Sequence, residues 1–271
     1  MTSTTLTAAA FGRDPECWPL PTAHTPEELW LRAVAAGAQG HYSGARADLD
    51  ALRRIRPAGP LASLAMSTHA SFLRQLGGHR LARGWDGRAL ALAHVAHDSP
   101  HTLEARVDAL VGLAADALGV GRLAVSQVLL DRAAAALDGA DAWPPRLAIR
   151  LAWVRAELAM AGGRGTDALN HAEHGVELAE AALPALRRHR VKSDVVLAAA
   201  LCSAGLPERS RAVADAALDD TLTHGLVPLR WALACLLFDI GSTTLTSQQV
   251  SAIRDECAAT ITRRGGQWCP G

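Results

Sequence analysis

The chain has 271 residues, of which 49% are apolar but only 4% aromatic, and its 27 basic side chains are balanced by 27 acidic ones. That length can bury a substantial core. The lack of a basic excess argues against a dedicated nucleic-acid binder, and no window nears the ~18 consecutive apolar residues of a membrane-spanning helix.

Alanine and leucine carry most of the apolar surface, both favour helix, and no segment alternates with period two. The expected class is therefore all-α. The cysteines, Cys17, Cys202, Cys235, Cys257 and Cys269, are odd in number and contain no CxxC, so neither a disulfide framework nor a zinc module is expected. The N-terminus shows neither the basic region nor the apolar stretch of a signal peptide. A reducing cytoplasm is the expected setting.

In chain order, residues 1–24 read as a flexible arm broken by Pro15, Pro19 and Pro21, with Trp18 available to pin it to the body. Helical order starts at Thr25-Pro26-Glu27-Glu28, where threonine caps, proline sits at the first helical position and Glu28 completes a capping box. Pro57-Ala58-Gly59-Pro60, Asp98-Ser99-Pro100, Trp143-Pro144-Pro145, Pro184, Pro207 and Pro228 punctuate the rest. Thr246-Ser247-Gln248-Gln249 is a second capping box. Residues 265–271 read as a frayed tail.

A longer pattern overlies this punctuation. Gly40, Gly77, Gly119, Gly163, Gly205 and Gly241 recur at steps of 37, 42, 44, 42 and 36 residues. Seven residues before each stands Ala33, Ala70, Gly112, Ala156, Ala198 or Ala234. Five residues after stands Ala45, Ala82, Ala124, Ala168, Ser210 or Thr246. Antiparallel helices approach closely only where their contact residues are small, and a glycine between them supplies a left-handed C-cap. One such hairpin cannot bury its own apolar face, so neighbours stack. The expectation is about six helical hairpins over residues 25–264, with these six glycines at the turns inside them.

Charged clusters offer little chemistry. His94, His97 and His101 are spaced for one helix face, but Asp98-Ser99-Pro100 interrupts them. His171, Glu173, His174 and Glu177 form a second cluster without an HExxH pattern or a convincing further ligand. Glu173, Glu177 and Glu180 make an acidic stripe, and Arg187-Arg188-His189-Arg190-Val191-Lys192 is the densest basic run, able to meet phosphate or an acidic peptide. No P-loop, GxSxG elbow or SxxK is found, so no enzyme activity, metal or cofactor is expected.

The small–turn–small unit resembles the tetratricopeptide repeat. Ala33, Gly40, Tyr42, Ala45, Leu49 and Pro57 of the first unit fall in that family's register, whereas later units replace its aromatic positions by alanine or leucine and run longer. The resemblance implies a right-handed α-solenoid, like the repeat regions of bacterial regulatory proteins, whose first helices line a concave groove. Carrying over the groove positions gives Glu27 and Trp30, then Ser67, Ser71, Arg74 and Gln75, then Arg106 and Asp116. Arg150, Trp153 and Glu157 follow, then Lys192 and Trp231. Arg74, Arg106, Arg150 and Lys192 would form a basic ladder on one face, outside the packing between helices. The resulting expectation is a non-enzymatic scaffold or adaptor holding a protein segment, with an acidic or C-terminal-carboxylate peptide the preferred ligand, and neither membrane nor nucleic acid as partner. The alternative is a regulatory domain that closes around a small molecule.

Overall fold

The computed structural model describes residues 2–93, 100–140 and 142–269. Among them the fold is all-α. Helix α1 (Thr2–Phe11) precedes α2 (Pro26–Ala38), α3 (Tyr42–Ile55), α4 (Pro60–Gln75), α5 (His79–Ala93), α6 (Pro100–Gly119) and α7 (Leu123–Asp138). Then come α8 (Arg146–Ala161), α9 (Gly165–Ala181), α10 (Arg187–Ser203), α11 (Pro207–Thr223), α12 (Val227–Ile240) and α13 (Ser247–Arg263). Consecutive helices pack against each other. In addition α2, α4, α6, α8, α10 and α12 each touch the next of that series, so they form a continuous inner row.

Local sequence explains the helix ends. Both capping boxes are made: Thr25 accepts from the Glu28 amide and Thr246 from the Gln249 amide, with the reciprocal bonds present. At the turns, Gly40, Gly77, Gly163, Gly205 and Gly241 have φ between +68° and +84°. In the first, the His41 amide donates to Ala36 O at 2.9 Å and the Gly40 amide to Gly37 O at 3.0 Å. This doubly bonded C-cap satisfies carbonyls the helix leaves open. Ala33, Ala70, Ala156, Ala198 and Ala234 before these turns are all fully buried, as are Ala45, Ala82, Ala168 and Ser210 after them.

The third unit departs from the expected register by two residues. Gly119 is the last residue of α6, and the turn is made by Gly121 at φ +75°. Ala124 is exposed, and Ser126 takes the buried place five residues after the turn. Gly119 serves a different purpose, because a Cβ there would lie 2.2 Å from the His79 ring. The last unit departs as well: Thr246 is an exposed cap, and Val250 is the residue that enters the core.

Neither chain end behaves as the sequence suggests. Thr2–Phe11 is a helix, not a loose arm, and buries Leu6, Ala9 and Ala10 against α2. Trp18 remains half exposed but stacks on His41 with ring centroids 3.7 Å apart. The tail is docked through residue 269. Trp268 packs on Trp231, and the Cys269 amide donates to Leu76 O at 2.8 Å. The last helices thereby return to the first. Arg264 donates to Gln39 O at 2.7 Å, Arg46 to Gly265 O at 2.8 Å, and the Ser43 amide to Arg264 O at 3.0 Å.

Candidate ligand-binding cavity

The inner row lines a cavity of about 550 Å³, and every helix of that row contributes to its wall. Its apolar surface comes from Trp30 and Val34 of α2, Phe72 of α4, Val111 and Leu118 of α6 and Trp153 of α8. Phe11, at the end of α1, closes one side. Its ring lies 5.2 Å from Trp30 and 6.2 Å from His189, beneath the guanidiniums of Arg146 and Arg188. Trp30 and Trp153 are fixed by their indole N–H groups, which donate to Thr68 Oγ1 at 3.0 Å and Ser193 Oγ at 2.8 Å.

Of the residues assigned to the groove from sequence, Trp30, Ser67, Ser71, Arg74, Gln75, Arg150, Trp153, Glu157 and Lys192 line this cavity. Arg106, Glu27, Asp116 and Trp231 are not among its lining residues. Arg106 is exposed. Its displacement has the same origin as that of Gly119: the third unit is read two residues early, and two residues rotate a side chain by roughly 200° about an α-helix. Two positions later on α6, Asp108 does face the cavity.

The basic ladder is therefore not a row of free cations. Arg74 binds Asp86 and, at 3.1 Å, Asp116, tying α4 to α5 and α6. Arg150 binds Asp108, and Lys192 lies 3.4 Å from Glu157. The expectation that these arginines stand outside helix packing is corrected: Arg74 and Arg150 neutralise buried carboxylates between neighbouring helices. Gly112 makes room for this, since a Cβ there would fall 2.4 Å from Asp86 Oδ2.

A second buried network was hidden in the sequence. Arg146 opens α8 and reaches back to α6, with Nη2 2.6 Å from Asp108 Oδ2 and Nε 3.1 Å from Glu104 Oε1. Burial raises the Asp108 carboxyl pKa, but Arg146 and Arg150 outweigh it and hold the group below its ordinary value. Arg188 and His189, from the first turn of α10, complete this end of the cavity. Burial, with Arg146 and Arg150 nearby, pulls Arg188 down to about 10. Burial and the same cations push His189 well below its ordinary value, so its imidazole is neutral at pH 7. The sequence singled out Arg188 and His189 only as part of a basic run. Nothing in it pointed to Phe11 or Arg146.

Of the two histidine clusters, only His101, His171 and His174 fall among the described residues. His94 and His97 lie outside the described residues. His101 and His174 are exposed and sit 3.5 and 3.6 Å from Glu104 and Glu177 on their own helices. Among the described residues no group of three metal-ligating side chains converges, and no helix is long and apolar enough to cross a membrane. No protein-family model matches the sequence, and no curated protein is significantly similar to it.

Proposed function

We propose that the protein is a non-catalytic binding domain: a tetratricopeptide-like, right-handed array of helical hairpins whose inner helices hold a small molecule in the central cavity. The carrying observation is the cavity's construction. All six inner-row helices converge on one space of about 550 Å³, within the 300–1,000 Å³ range of small-molecule pockets. Its walls combine aromatic surface with a few fixed polar groups, the usual composition of such sites. A peptide groove would instead run open from end to end, whereas here α1 sets Phe11 into the inner face and the last helices close onto the first.

One observation favours the scaffold reading as a second possibility. The inner face already accepts a helix, because Leu6, Ala9, Ala10 and Phe11 pack on it from within the same chain. A partner helix with similar spacing would compete for that place.

Native mass spectrometry of the protein purified from its own host separates these readings. A bound species of small-molecule mass, released on denaturation, is the expected result. Protein that carries no small molecule but retains a peptide or protein partner, with α1 amides losing protection in the complex, would refute the cavity reading in favour of the scaffold.

A further inference from the structure

Resting on the cavity reading, we infer that the ligand is an apolar acid with a single carboxylate, bound by Arg188 and His189 at the start of α10. The first turn of α10 breaks a local rule. A helix N-terminus carries partial positive charge and favours acidic residues, yet α10 opens with Arg187, Arg188, His189 and Arg190, and its N-cap Leu186 supplies no side-chain acceptor. Arg187 and Arg190 are accounted for elsewhere. Arg187 is exposed, while Arg190 pairs with Asp194 and with Glu180 at 3.0 Å. Arg188 turns to the cavity, where its buried Nε meets no acceptor among the described residues and its guanidinium carbon lies 5.7 Å from the Phe11 ring centroid.

The cluster around the starts of α8 and α10 leaves one positive charge over, counted apart from the Arg74, Asp86 and Asp116 group that ties α4 to α5 and α6. Glu104 and Asp108 together face three guanidiniums, those of Arg146, Arg150 and Arg188. Lys192 and Glu157 cancel each other. A partly buried cation with its Nε shut off from water is costly unless it is paired, and one carboxylate would remove both that cost and the clash with the helix dipole. The planar guanidinium fork matches a carboxylate's two oxygens. The neutral His189 ring, with a buried and unpartnered Nδ1, offers a further donor in its Nδ1–H tautomer. A phosphate dianion would exceed the charge available by one. The apolar body of the ligand would pack on Trp30, Val34, Phe72, Val111 and Leu118, which share the wall with Ser67, Ser71 and Gln75.

The test uses the full-length protein and Arg188→Met, which retains an apolar stem and removes the charge. Titration calorimetry would compare decanoate and 2-naphthoate with decanol, 2-naphthamide and decyl phosphate. We expect at least one carboxylate to bind saturably to the wild type, its neutral analogue to bind at least tenfold more weakly, and Arg188→Met to lose at least tenfold in carboxylate affinity. Ligand-free Arg188→Met should melt at or above the wild-type temperature, since an unpaired buried charge is gone. Equal binding of acids and neutral analogues to both proteins would overturn the carboxylate inference and leave the cavity reading standing. So would preference for decyl phosphate, or a lower melting temperature in ligand-free Arg188→Met. Binding of none of the five compounds to folded wild-type protein would overturn both.

Discussion

Arg146 Nη2 lies 2.6 Å from Asp108 Oδ2, joining α8 to α6 beside the cavity, although the two residues are 38 positions apart in sequence. The same guanidinium reaches Glu104, so one cation neutralises two buried carboxylates. Removing one partner of a buried ion pair costs about 3–5 kcal/mol, chiefly because the other charge is left unpaired. Arg146→Met is therefore expected to destabilise the protein by about that amount. Arg106→Ala, on an exposed face of α6, should stay within about 0.5 kcal/mol of wild type. Urea denaturation of both variants checks the contrast, and similar losses in the two would contradict the assignment.

Gly119 and Gly121 are two residues apart and do different work. Gly121 has a left-handed backbone with open space around it, so Gly121→Ala should cost about 1–2 kcal/mol through backbone strain. Gly119→Ala should cost about 1–3 kcal/mol by overpacking, because its new methyl meets the His79 ring. A double-mutant cycle with His79→Ala tells the two apart. Coupling beyond about 0.5 kcal/mol is expected with Gly119→Ala and none with Gly121→Ala.

The Asp116 carboxyl is pushed up to about 7: burial drives the shift, Arg74 opposes it and Asp86 adds to it. Folded protein thus holds a proton that the unfolded chain releases near pH 3.8. Stability from this group is fully present below that value and is lost as pH rises through about 7. Compared with wild type, Asp116→Asn should lose that pH dependence between about 4 and 7 and melt at a higher temperature at pH 8. Melting curves of the pair across this range, subtracted from one another, isolate the effect from the buried histidines. Those histidines act in the opposite direction: His189 has a depressed pKa, so its contribution is lost as pH falls below its ordinary value.

Phe11 connects α1 to the cavity, and α1 has few other anchors. Its hydrophobic contacts run through Leu6, Ala9, Ala10 and Phe11. Phe11→Ala is expected to speed amide exchange across α1 by at least tenfold while leaving α6 and α8 protected, since local opening follows the loss of local contacts. Uniform acceleration over the whole chain would instead make α1 part of the global folding unit.

The all-α class, the two capping boxes and five of the six glycine turns could be read from the sequence because each depends on residues within a turn or two of one another. Alanine-rich composition, a Thr–x–x–Glu cap or a left-handed glycine acts over a few positions, wherever the rest of the chain lies. Where two glycines competed, as at Gly119 and Gly121, a local pattern could not choose, and the two-residue error carried Arg106 to the wrong face of α6.

Tertiary structure alone decided which charges are already spent and which remain. Trp30, Ser67, Arg74, Arg150, Trp153 and Lys192 were recognisable as residues of one face, but not that Asp86 and Asp116 consume Arg74 or that Asp108 takes Arg150. Ion pairing depends on distance in space, and these partners stand 12 to 42 residues apart. The docking of α1 was equally hidden. A short helix with a weak apolar pattern gains its stability from the surface it meets, and that surface is assembled in space from α2, α8 and α10.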